Sequence, residues 1–267
     1  MSYSNPPHQE TIIDLAFAPV PNFDPVRYLR LHSKLREQYG ESQSQPALPP
    51  IQSMPDTGMA FILGFGDGPP PTRIWHLSID QRMVLQLQSD RLILNWRRID
   101  DPNWETYPGY DALIMRFLEA YDLLRVEVLQ ESGQELEPIR CEFAYDNVIT
   151  HSVSHAAGGI SKVISGVSEP ITGANEFGTL TSLGMMLRYD FCGDSLGSSS
   201  TLVNLQPAFD RSTGEAIHGL RIACAGPPVD SDRNGLHNAF SEGHEKALKT
   251  FESITDDEVQ RSSWGRS

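Results

Sequence analysis

Two histidines four residues apart, His151 and His155, have the spacing in this chain best suited to holding a metal. At i and i+4 on a helix both rings lie on one side, zinc accepts such ligands, and Glu142 and Asp146 lie just upstream as oxygen donors. A metal-dependent hydrolase using His151, His155 and one acid is therefore one reading. Against it, no glutamate follows the first histidine, and the serines and glycines around the pair favour a loop. Exposed or structural histidines are the weightier alternative. Glu142 and Asp146 share one face of a strand, as carboxylates paired for acid–base work do, although charged strand residues that simply stay wet are commoner. A second set mixes cationic and hydrogen-bonding groups at strand positions: Asn95, Arg97, Tyr145 and Asn147. These four suit a polar pocket or a partner-binding face on a sheet. The structural alternative is that Arg97 or Arg98 pairs with an acid of the other half, while Asn147 satisfies backbone groups at the junction.

Other motifs carry less. Gly64, Gly66 and Gly68 are followed by Pro69, Pro70 and Pro71. That run blocks the immediate helix start a phosphate loop needs, so the glycines read as a turn. No serine sits in a G-x-S-x-G elbow. Cys141, Cys192 and Cys224 are odd in number and far apart, which argues against a disulfide framework, and Cys141 on a buried strand face would be inert. His237 and His244, seven residues apart on one helix, stand about 10 Å apart, too far for one ion unaided. No cofactor is expected.

The elements that position these residues follow from periodicity. Leu85 and Leu87, then Leu92, Leu94 and Trp96, alternate with polar residues around a turn at Ser89-Asp90, which predicts a β-hairpin with one buried face. Residues 1–10 read as a frayed leader, and Thr11–Phe17 as a strand. Asp24-Pro25 opens a helix carrying Tyr28, Leu31, Leu35 and Tyr39 and stopping at Gly40. Glu41–Pro55 reads as a loop, Arg73–Ile79 as a strand. A helix starting at Pro108 shows a broad apolar face from Tyr110 to Leu124. Strands are expected at Ile139–Ile149, Leu180–Phe191, Thr201–Phe209 and Ala216–Ala225, with Gly214 in the last turn where a positive φ is wanted. A helix over Leu236–Ser253 and a capping box at Thr255–Glu258 close the chain. The expected fold is α+β: two similar halves, 1–130 and 131–267, each a mostly antiparallel sheet with helices packed on one face.

With 21 basic against 35 acidic residues the chain carries a net charge of −14. That speaks against general nucleic-acid affinity and against docking on anionic lipid. The apolar runs fall short of a membrane span, no secretory leader is expected, and a cytoplasmic location follows. A non-enzymatic binding or regulatory protein, acting through a protein partner or as a homo-oligomer, is the favoured reading. The alternatives are a small-molecule sensor using Asn95, Arg97 and Asn147, and the metal hydrolase above.

Several of these segments together resemble one family. The hairpin from Val84 to Arg98, ending Leu94-Asn95-Trp96-Arg97-Arg98, precedes Tyr107-Pro108-Gly109-Tyr110 and Phe117. The strand Cys141–Ile149, then Leu205-Gln206-Pro207-Ala208, Gly243-His244-Glu245, Phe251, Ile254-Thr255 and Trp264-Gly265-Arg266 follow in the same order. The set resembles a sporadically distributed bacterial family of about this length to which no function is assigned. Val148 stands where many members carry histidine. The resemblance transfers no catalytic residue, and the family's patchy occurrence implies an accessory role, in defence or as an antitoxin.

Overall fold

The computed structural model describes residues 3–20, 29–49, 72–99, 106–165 and 183–267. The Asp24-Pro25 helix start, Tyr28, the Gly64–Gly68 turn with its prolines, and residues 166–182 lie outside the described residues. In the first part of the chain the elements are β1 (His8–Phe17), α1 (Leu29–Gln38), β2 (Glu41–Pro46), β3 (Thr72–Leu77), β4 (Met83–Gln88), β5 (Arg91–Arg97) and α2 (Tyr110–Ser132). Then come β6 (Pro138–Ile149), α3 (His151–Ala156), α4 (Ile160–Val163), β7 (Met185–Cys192), β8 (Ser198–Phe209), β9 (Ala216–Gly226), α5 (Arg233–Ile254) and α6 (Asp257–Ser262). The protein is α+β, with nine strands in one sheet and six helices among the described residues.

The sheet runs β2-β3-β4-β5-β1-β6-β9-β8-β7, and every neighbouring pair is antiparallel. Residues directly opposite in an antiparallel pair share a face, so the registers sort the side chains into two sets. Ile13, Leu15, Leu94, Trp96, Phe143, Tyr145, Ile222 and Val203 fall on one face. Helices α2 and α5 pack there, α5 against β6, β9 and β8. Phe117 of α2 and Phe240 of α5 meet edge to face at 5.1 Å in the core between helices and sheet. Arg233 at the start of α5 ties back to Asp122 and to the Leu118 carbonyl of α2. The opposite face is free of helices among the described residues.

Five expectations change, one of them the last cap: Asp256, not Thr255, caps α6, its side chain accepting from the Glu258 and Val259 amides. Glu41–Pro46 is a strand, not a loop. Among the described residues it pairs only with β3, at the edge of the sheet, and its polar sequence leaves no alternation to read. The hairpin β4–β5 is buried on both faces, because Gln86, Gln88 and Asn95 on the second face are enclosed as well. The leader is not frayed: Ser4 and Asn5 donate backbone hydrogen bonds to the Gly265 and Trp264 carbonyls, and Tyr3 packs against Phe251. His151–Ala156 is helical, started by Thr150, whose side chain accepts from the Val153 amide. The remaining strands and the helices α1, α2 and α5 lie where periodicity puts them, and Gly214 has φ 72°.

Gly243 lets α5 lie close on the sheet. A Cβ there would stand 3.2 Å from Phe143 Cβ and 3.7 Å from Leu196 Cδ1. Gly243→Val should therefore push α5 off β6 and cost about 1–3 kcal/mol, measured as a shift in the urea midpoint at constant slope. Unchanged stability would contradict this packing.

Candidate functional site

The sheet divides the four sequence-derived binding candidates between its faces. Asn95 and Arg97 alternate with Leu94 and Trp96 and so point away from the helices, whereas Tyr145 and Asn147 lie on the helix side. The four do not form one site. The signal was present in the sequence, since both apolar sets must face the same core and Asn95 is out of phase with one while Tyr145 is in phase with the other.

On the helix side Tyr145, Asn147 and the histidines beside them are hydrogen-bonded within the protein. The Tyr145 hydroxyl and His244 Nδ1 are hydrogen-bonded at 2.9 Å, and the His244 ring stacks on Tyr110 at 4.1 Å. His8 stacks on Trp96 at 5.3 Å and bonds through Nε2 to Thr11 Oγ1 at 2.8 Å. Burial lowers the pKa of His8 to about 3 and that of His244 to about 4, so both rings are neutral at ordinary pH. Asn147 Nδ2 donates to the Leu220 carbonyl of β9 at 3.1 Å, which is the backbone-satisfying role. Arg97 Nη2 donates to the Gln81 carbonyl at 2.8 Å rather than to an acid.

The helix-free face carries a connected polar array that sequence reasoning only touched. Arg73 Nη1 donates to Gln86 Oε1 at 2.8 Å, Gln86 Nε2 to Asn95 Oδ1 at 2.5 Å, and Asn95 Nδ2 to Glu10 Oε1 at 2.7 Å. Glu10 stands directly opposite Asp146, and Asp14 directly opposite Glu142, across the β1–β6 pair. Arg221 on β9 reaches both β6 acids, with Nη1 at 3.1 Å from Asp146 Oδ2 and Nη2 at 2.9 Å from Glu142 Oε1. Arg140 Nη2 meets Glu142 Oε2 at 2.8 Å, and Arg91 Nη1 lies 3.7 Å from Asp14 Oδ2. Ala144 and Ala223 are buried among these charges. Glu142 and Asp146 are thus ion-paired, not simply solvated.

The array is electrostatically loaded. Burial raises the pKa of Glu10 and of Asp146, more than Asn95 or Arg221 lowers it. Asp14 is raised to about 7, first by burial and further by Glu142, with Arg91 opposing, and its Oδ1 makes no hydrogen bond. Burial disfavours the Arg221 charge, but Asp146 and Glu142 outweigh this and hold its pKa above the usual value.

His151 and His155 share α3 with ring centroids 5.8 Å apart, both exposed. The two acids upstream are engaged by Arg221, and among the described residues no group of three His, Cys, Asp or Glu side chains is placed to hold a metal ion. A different histidine pair has no signal in the sequence, because the polar edge strand β2 that meets it shows no alternation. Ser42 Oγ lies 2.9 Å from His76 Nδ1, and His76 Nε2 lies 3.2 Å from His32 Nδ1. His76 is fully buried and lowered to about 4 by burial, then by His32, so it acts as a neutral link between α1 and the sheet edge. Burial also pushes the Cys141 thiol up, in keeping with an inert cysteine.

An acid with a higher pKa in the folded than in the unfolded chain loses stability as pH rises between the two values, and no more above them. For Asp14 the window runs from 3.8 to about 7. Asp14→Asn, which cannot ionise, should gain on the order of 2–4 kcal/mol of stability relative to the parent across that window, with a plateau above it. Urea unfolding of both proteins over a pH series checks this, and a pH-independent difference would refute it.

Comparison with protein-family models, curated proteins and solved structures finds no match to this chain.

Proposed function

We propose that this is a non-enzymatic binding or regulatory protein that works through a protein partner, and that it recognises that partner on the helix-free face of the sheet. The observation that carries the reading is the pair of like-charge juxtapositions, Glu10 against Asp146 and Asp14 against Glu142, at the middle of that face. Like charges opposite each other on neighbouring strands destabilise a sheet. A chain that keeps such a costly arrangement where apolar pairs would fold better is using it for something other than stability. Half-buried carboxylates already ordered by arginines and amides suit a cationic protein surface, and the net charge of −14 would steer such a partner inward.

The same proposal holds that the chain consists of two similar halves, 1–130 and 131–267. The strand order supports it: from β1 the sheet continues through β5, β4 and β3, and from β6 through β9, β8 and β7. In each half a long helix, α2 or α5, follows the last strand, while β2 and α6 have no counterpart among the described residues. The halves join at β1–β6, so the charged array spans the junction and exists only when both are present. Membership in the sporadically distributed bacterial family, and with it a defence or antitoxin setting, belongs to this proposal and rests on the motifs from Val84 to Arg266.

Glu10→Gln tests the reading with little structural change, since the amide keeps the acceptor for Asn95 and only the charge goes. Bait protein in lysate of its source cells should capture one specific basic protein at low salt and release it at high salt. Glu10→Gln should retain several-fold less, while Glu215→Gln in the exposed β8–β9 turn should retain it fully. Capture of nothing specific, or capture indifferent to both salt and Glu10, would overturn the proposal.

A further inference from the structure

The two ends of the sheet are built differently. At one end β2 is short, wholly polar and finished by Pro46, which are standard ways of making an edge unattractive to another strand. At the other end β7 pairs only with β8 among the described residues, in unbroken register from Met185↔Leu205 to Cys192↔Ser198. It contains no proline, lysine, glycine or bulge. Its side chains include Met185, Met186, Leu187, Tyr189 and Phe191, with Met186 60% and Tyr189 48% exposed. A regular apolar edge of this kind is a template for one more strand.

The strand itself specifies which one. Arg188 and Asp190 are both exposed, lie on the helix-free face, and flank Tyr189. We propose that β7 pairs antiparallel with β7 of a second copy of this chain, across a two-fold axis through Tyr189, to give a symmetric dimer with a continuous sheet.

The register follows from charge and parity. A two-fold axis perpendicular to the sheet keeps the two faces continuous, so each residue must meet one from its own face. The axis can then pass only through a residue position, not between two. Placed at Arg188 or at Asp190, it sets like charges against each other. Placed at Leu187 or Phe191, it shortens the overlap and leaves the charges facing Met186 or Cys192. Placed at Tyr189, it sets Arg188 against Asp190 of the partner subunit, and Asp190 against the partner's Arg188. Leu187 then faces Phe191 of the partner subunit on the helix side, and Tyr189 meets its own copy on the axis. Ion pairs, an aliphatic–aromatic pair and an aromatic pair are the cross-strand combinations that stabilise sheets. The Arg188–Asp190 contact within the strand, 2.8 Å, shows that the two groups already lie within each other's reach on this face.

This pairing uses the sheet edge, not the charged array, and is decided by the purified chain alone. Sedimentation velocity at micromolar concentration should give twice the chain mass. Asp190→Arg, which sets arginine against arginine twice per dimer, should weaken association by roughly tenfold or more. The swap Arg188→Asp with Asp190→Arg should restore the dimer. In an otherwise unchanged chain, Met186→Cys faces Cys192 of the partner subunit and should form an intermolecular disulfide on mild oxidation. A monomeric parent, a dimer that Asp190→Arg leaves intact, or a folded swap variant that stays monomeric would each overturn the proposal. A monomer that still captured a basic partner in a salt-sensitive way would overturn only the self-pairing and leave the partner reading standing.

Discussion

The antiparallel pairing of β1 with β6 is the interaction on which the rest of the structure depends. On its helix side it brings Thr11 to Tyr145, Ile13 to Phe143 and Leu15 to Cys141, which places the middle of the core under α5. On its other side the same register forces Glu10 against Asp146 and Asp14 against Glu142. The two consequences cannot be separated, because a shift by one residue would send every side chain of β1 to the wrong face. Burial of Phe143, Ile13 and Leu15 therefore pins the carboxylates where they repel one another, and Arg221, Arg140 and Arg91 contain the repulsion.

The two faces illustrate how the same residue types take different roles. His8, Tyr145 and His244 lie among aromatic rings, where burial keeps them neutral and each finds a hydrogen-bond partner. They orient packing. Glu10, Asp14, Glu142 and Asp146 lie where no described helix covers them, and their charge is held in place by arginines from three strands. Stability alone would favour apolar residues at these positions. That contrast is why the account places recognition on the helix-free face and structure on the helix side.

Much of the fold was legible because amphipathic elements report themselves. The β4–β5 hairpin, β6, β9, α2 and α5 each bury one apolar stripe, and their periods give them away. β2 was not legible, since a polar edge strand has no stripe, and with it went the Ser42–His76–His32 link. α3 was hidden by serines whose local effect Thr150 reverses by capping. The charged array was out of reach for another reason. Arg221 lies 79 and 75 positions from Glu142 and Asp146, and only the β6–β9 register brings them together. Periodicity says which residues share a face of one strand, not which strands are neighbours.

The central claim is that the nine strands form one cooperative sheet held together through β1–β6. Native-state hydrogen exchange tests it most directly, because amides opened only by global unfolding all report the same free energy. The account predicts that the β1–β6 amides exchange with the same free energy as those of the β8–β9 and β4–β5 pairs. A β1–β6 interface that opens at distinctly lower free energy, with the flanking pairs still closed, would contradict it.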